Sequence, residues 1–242
     1  MFTLSPKESA PINGKLFVIE GPDGSGKETQ TRLLLNRLQQ EGHEKIIHVA
    51  FPNYDSFSST LLKKYLDGYY KNQYSDTSNL IFVKQMSMMY AVDRVSTFIE
   101  EAHNGKSLIT LLNEGYTILC DRYTTSNIMH QSANLINPLH VSDFIRWIEE
   151  LEYFHLGLVE PDDVIFLDVP PEGSIANLKK RYNDEPREDI LENIEHQTRL
   201  HNIKDRVIRM CGWSKIDCYQ NGSMLPMETI HEDIYAHIIK SL

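Results

Sequence analysis

Four stretches of the chain are apolar almost without a break: LFVIE at 16 to 20, IIHVAF at 46 to 51, YTILCD at 116 to 121 and VIFLDV at 164 to 169. A strand with one wet face alternates apolar and polar side chains, because successive residues point to opposite sides. Continuous runs instead mark strands covered on both faces, as in a parallel sheet flanked by helices. KIDCY at 215 to 219 is a shorter candidate for a fifth strand. Between these runs the helical period appears at 27 to 41, 58 to 67, 78 to 104, 124 to 135, 141 to 156, 172 to 182, 188 to 211 and 227 to 241. Gly42, Gly105, Gly157 and Gly212 each follow a helical stretch as expected C-terminal stops. Repeated strand and helix with right-handed crossovers predicts an α/β fold, a three-layer doubly wound parallel sheet.

Residues 1 to 14 carry two prolines and a glycine among mostly small or polar side chains, and read as a flexible N-terminal arm. The rest, 15 to 242, shows no linker and no repeat, and a length of 242 residues with 41% hydrophobic content suits a single domain. The formal net charge of −10 argues against a nucleic acid polymer or an anionic membrane as partner, since both are attracted by basic faces. Any bound phosphate must then be held by a local cluster. No apolar run approaches the roughly 18 residues of a membrane span. The three cysteines form no CxxC pair, and the opening MFTLSPKESAPING has no basic stretch followed by an apolar one, so the expected location is cytoplasmic. The histidines show no zinc spacing.

The candidate chemistry starts where the first run ends. LFVIE leads into GPDGSGK and then a helical stretch, the strand, glycine-rich turn and helix N-terminus that a phosphate loop requires. Gly21, Gly24 and Gly26 allow successive N–H groups to face an anion, with Ser25 among them, and Lys27 reaches the β and γ phosphates of a nucleotide such as ATP. In the usual pattern, GxxxxGK(S/T), a hydroxyl follows the lysine and binds Mg²⁺; this chain has Glu28. Its carboxylate is also a hard oxygen ligand, suited to Mg²⁺ directly or through water, with Thr29 left to bond a phosphate oxygen. The alternative is that Glu28 turns outward and only favours the helix N-terminus.

FP at Phe51 and Pro52, YAVDR at 90 to 94 and DRYTTSNIMHQ at 121 to 131 follow the phosphate loop in that order, with LDVPPE at 167 to 172. Together they resemble the thymidylate kinase (dTMP kinase) family, whose elements are EGxDGxGK(S/T)TQ, FPxR, an aromatic four residues before an arginine, and DRYxxSxxAYQ. The resemblance implies a fold of the P-loop NTPase type and transfer of the γ-phosphate from ATP, with Mg²⁺, to dTMP. It also implies a homodimer through long helices. Asp121, at the end of the third apolar run, would hold a magnesium-bound water, Arg122 would bridge donor and acceptor phosphates, and Asp23 would position the acceptor phosphate. The acceptor nucleotide would lie against Phe51, Pro52, Tyr54, Tyr90, Arg94, Arg122, Ser126, Asn127, His130 and Gln131. Tyr90 and Arg94 are one helical turn apart, so one can stack on a pyrimidine while the other donates to its O4. The family's mobile lid would correspond to about 179 to 189, where Arg181 and Arg187 are the candidates to close over the phosphates; Lys179 and Lys180 read as a solvated helix end.

Two acceptor-side positions depart from the pattern. The FPxR arginine is Tyr54, and the AYQ tyrosine, which lies near the sugar, is His130. The monophosphate would then lean on Arg122 or a lysine such as Lys63, and selection of deoxyribose is left open. A related kinase for another nucleoside monophosphate or a deoxynucleoside, and a catalytically weak nucleotide-binding protein, are the two competing readings.

Overall fold

A computed structural model describes residues 12 to 70, 73 to 74, 76 to 181 and 194 to 242. Five parallel strands form one sheet in the order β2-β3-β1-β4-β5: β1 (Lys15–Glu20), β2 (Ile46–Ala50), β3 (Thr117–Asp121), β4 (Asp163–Asp168) and β5 (Ser214–Asp217). β1 is central, and its alternate residues feed two cores. Leu16 and Val18 pack with Ile118, Phe98, Leu108 and Leu112 on one face, whereas Phe17 and Ile19 pack with Leu34, Leu38, Ile230 and Ile234 on the other. Burial on both faces is why these strands are continuously apolar.

The second face is covered by α1 (Lys27–Gln40) and α9 (Met227–Ile238). The first is covered by α3 (Leu80–Ile99) and α4 (Leu108–Asn113). A third core joins α5 (Thr124–Ser132), α6 (Pro138–Glu149) and α8 (Ile194–Cys211) under Phe166 of β4. α2 (Thr60–Leu66) follows a 3-10 turn at Phe57–Ser59, and α7 (Pro171–Arg181) follows β4. A small antiparallel pair, β6 (Tyr219–Gln220) and β7 (Ser223–Met224), precedes α9.

Several boundaries differ from the sequence expectation for local reasons. α3 starts where the Asn79 side chain accepts from the Phe82 N–H at 2.8 Å, and it ends at Ile99 rather than 104. Gly105 is therefore not a helix stop: it lies in a tight turn closed by reciprocal backbone bonds between His103 and Lys106, at φ 75°. α6 begins early, because Asn137 caps it and Pro138 occupies the first turn, where a missing N–H costs nothing. Its continuation, Glu150–His155, is a π-helical turn rather than α-helix. α4 was not anticipated; six residues are too few to display a period, and Ser107 caps it. Residues 1 to 11 of the expected arm, and 188 to 193 of the expected helix, lie outside the described residues. No described helix is long and apolar enough to cross a membrane.

Candidate active site

The C-terminal ends of β1, β2 and β3 open onto a cleft of about 540 Å³, the position that an open parallel sheet offers a ligand. β1 and β3 are in register from Lys15 opposite Thr117 to Ile19 opposite Asp121, so the loop leaving Glu20 and the carboxylate of Asp121 reach the same edge. Gly24 and Gly26 have φ of 83° and 89°, which a side chain would resist. At Gly24 an added Cβ would also meet the Ser174 carbonyl oxygen at 2.4 Å. Lys27, first in α1, is buried and folds back over its own loop: Nζ donates to the Pro22 carbonyl at 3.0 Å and lies 3.7 Å from Asp23 Oδ1. Burial lowers its pKa, while the charges of Asp121 and Glu20 oppose that shift.

Asp121 is buried, and its Oδ1 has no hydrogen-bond partner among the described residues. Burial pushes its pKa up to about 6; Lys27 pulls it down, and Glu20 and Glu28 add to the rise. An unsatisfied buried carboxylate oxygen next to a lysine and a phosphate loop suits a hard cation or its water. Glu28 is more exposed and is held by two cations, Arg32 at 3.1 Å and Arg181 at 3.6 Å. No group of three or more acidic, histidine or cysteine side chains that could cage a metal exists among the described residues. A magnesium ion would thus need phosphate oxygens and water to complete its shell, as is usual for that ion, and on this criterion the donor set fits.

Arg122 adopts φ 67°, a left-handed conformation that a bulky residue takes only where its surroundings enforce it. Its Nη2 donates to Asp23 in a short contact, and Nη1 donates to Ser126 Oγ at 3.0 Å and to His130 Nε2 at 3.0 Å. Ser126 Oγ donates in turn to Glu20 Oε1 at 3.1 Å, which also accepts the Gly21 N–H at 2.9 Å. The phosphate loop and the β3–α5 junction are thereby tied through one buried carboxylate.

Tyr90 and Arg94 of α3 line the same cleft and share a face, as their spacing requires. Tyr90 meets Tyr65 edge-on, with ring centroids 6.1 Å apart. Arg94 is buried, and Glu152, also buried, takes its Nε at 2.6 Å and its Nη2 in a shorter bond, a forked pair that fixes the guanidinium plane. Glu152 also accepts from Thr124 Oγ1 at 2.6 Å. Asn127 donates to the Ser87 carbonyl at 3.1 Å, and Gln131 to Tyr65 Oη at 3.2 Å. The buried Phe51, with Pro52, the exposed Tyr54 and Lys63, also lines the cleft.

The cleft thus brings together Asp23, Gly24, Gly26, Lys27, Glu28, Phe51, Pro52, Tyr54, Tyr90, Arg94, Asp121, Arg122, Ser126, Asn127, His130, Gln131 and Arg181. Gly21, Ser25 and Thr29 do not line it; Ser25 is buried beneath the loop and Thr29 is exposed on α1. Arg187 lies outside the described residues. Sequence reasoning missed Glu20, Asp93, Glu152 and His196, which support the lining from behind. Glu152 did leave a signal. Val141, Phe144, Ile145 and Ile148 are the buried stripe of α6, and the next position on that stripe is a glutamate.

Residues 19 to 234 match the family model for thymidylate kinase. The chain belongs to the thymidylate kinase family. Its similar relatives are spread widely. It is 28% identical over 228 residues to a thymidylate kinase of Plasmodium falciparum, covering 94% of this chain and 90% of that one. Over 217 residues it is 28% identical to a thymidylate kinase of an Exiguobacterium species, with 87% and 92% covered. Over 199 residues it is 27% identical to that of Caldicellulosiruptor saccharolyticus, with 82% and 85% covered. Membership makes the chain a nucleoside-monophosphate kinase.

Proposed function

We propose that the enzyme transfers the γ-phosphate of Mg-ATP to dTMP, giving dTDP and ADP, by in-line attack without a covalent enzyme intermediate. The observation that supports this reading is the common cleft, which Lys27, Arg122, Tyr90 and Arg94 all line. The migrating group is anionic and the acceptor phosphate is already ionised, so the reaction needs charge neutralisation and alignment more than a strong base. The Gly24 to Gly26 turn and the start of α1 would cradle the donor phosphates, and Lys27 would follow the charge that builds on the transferring group. Arg122, held by Asp23, would bridge donor and acceptor. Magnesium, when bound, supplies positive charge at the phosphate oxygens; Asp121 and Glu28 are the residues that would hold it. Arg181 would lie over the phosphates and exclude water. At the far end Tyr90 would stack on the pyrimidine, and Arg94, its plane set by Glu152, would donate to O4. Cytosine carries an amino donor there and would be disfavoured.

The same reading takes residues 15 to 242 as one catalytic domain, acting in the cytoplasm on small nucleotides, and assembled as a homodimer. Support for the dimer comes from α3, where Ile81, Met88, Val92 and Ile99 are exposed on one side at intervals of a helical stripe.

Tyr54 in the cleft and His130 near Arg122 favour a second reading, a related kinase for another monophosphate or a deoxynucleoside. The pairing of Glu28 with Arg32 and Arg181 favours a third, a nucleotide-binding protein with weak turnover. ADP formation from Mg-ATP with dTMP, dUMP, ribothymidine monophosphate, dCMP and thymidine separates them. Highest kcat/KM with dTMP is expected; a different best acceptor supports the second, and tight ATP binding without turnover the third.

A further inference from the structure

His130 and His196 form a buried pair that nothing in the reaction requires by name. His130 lies on α5 and His196 on the first turn of α8; both are almost wholly enclosed. Their rings are nearly parallel, 5° between planes with centroids 5.3 Å apart, and His130 Nδ1 is 3.0 Å from His196 Nε2. On its other side, His130 Nε2 is 3.0 Å from Arg122 Nη1.

Elementary donor and acceptor rules fix the protons in this chain. A guanidinium can only donate, so His130 Nε2 must be an unprotonated acceptor. A neutral imidazole then carries its proton on Nδ1, which donates to His196 Nε2. That nitrogen must in turn be bare, placing the proton of His196 on Nδ1. A water or an apolar side chain in place of His196 would leave His130 free to adopt the other tautomer, whose Nε2–H would point a donor at the Arg122 donor.

We propose that His196 is a positioning residue for phosphoryl transfer: by accepting from His130 Nδ1–H it keeps Nε2 available to Arg122 and holds that guanidinium aimed into the cleft. The inference rests on the reading of Arg122 as the bridge between phosphates. Electrostatics agree with the neutral pair. Burial, then Arg122, His196 and Lys27, hold His130 well below the usual histidine range, and burial with Arg199 brings His196 to about 4.

Two measurements test it. In histidine labelled with ¹⁵N, the ring nitrogens at neutral pH should report Nδ1–H tautomers for both residues. Protonated Nε2 on His130, or an imidazolium, would overturn the proposal. Kinetics supply the second. In His196→Gln the amide oxygen can accept where Nε2 did, so kcat should stay within about threefold of wild type. His196→Leu should lose about tenfold to a hundredfold in kcat with KM for ATP little changed, since a slightly misaimed group costs turnover before it costs binding. Equal kcat in Leu and wild type, or equal losses in Leu and Gln variants of matching melting temperature, would refute it. If the wild type phosphorylates no acceptor, the reaction reading fails, and the tautomer spectrum alone judges the pair.

Discussion

Glu152 and Arg94 illustrate how a buried charge pair serves a site. Taking both charges from water is costly, and what recovers that cost is the forked geometry with Thr124 satisfying a further lone pair. Removing one partner strands the other, so Glu152→Ala should lower unfolding free energy by about 3 to 5 kcal/mol. Urea denaturation reads it, and a loss below about 1 kcal/mol would mean that water enters and replaces the carboxylate. His196 makes a pH prediction. Its folded pKa of about 4 lies below the unfolded value of about 6.5, so between these the unfolded chain binds more protons. Its contribution is full above about pH 6.5 and is lost as pH falls toward 4, up to about 3 kcal/mol. His196→Gln should flatten the stability profile in that window. His196 was opaque to sequence reading, whereas Glu152 differs from Glu149 and Glu150 only by its register on the α6 stripe.

At the scale of elements, the site depends on how α3 grips the loop after β2. Asp93, one residue before Arg94, is buried and accepts the Asn53 N–H at 2.9 Å and Ser58 Oγ at 3.0 Å. This holds the segment bearing Pro52 and Tyr54 against the helix that presents Tyr90. Asp93→Ala should raise KM for the acceptor about tenfold, an estimate for losing two hydrogen bonds to a carboxylate partly offset by water, while KM for ATP stays the same. A parallel rise in both would place the effect in global stability instead. Elements themselves were largely legible. The buried strands show as continuous apolar runs, and α1, α3 and α8 are long enough to show a period. The π-helical turn at Glu150–His155 and the short α4 were not, because neither persists through enough residues to leave a pattern. Long-range pairings such as Glu20 with Thr125 at 2.9 Å depend on strand order, which no local window contains.

For the whole molecule, strand order explains why motifs a hundred residues apart meet. β1 and β3 are neighbours, so Asp23 and Arg122 touch, and the crossover through α3 carries Tyr90 and Arg94 to the same cleft. The exposed stripe on α3 lies on the side of the helix away from Tyr90 and Arg94. A homodimer through it predicts that Val92→Glu yields a monomer by sedimentation velocity, whereas an unchanged mass would move the interface elsewhere. Transfer between two nucleotides in the cleft can be followed by ³¹P NMR of the enzyme with Mg-ATP and dTMP. The dTDP phosphates should grow in step with ADP, and Lys27→Ala should slow both by about a hundredfold to a thousandfold. Release of inorganic phosphate without dTDP, or an unchanged ATP spectrum, would contradict such transfer.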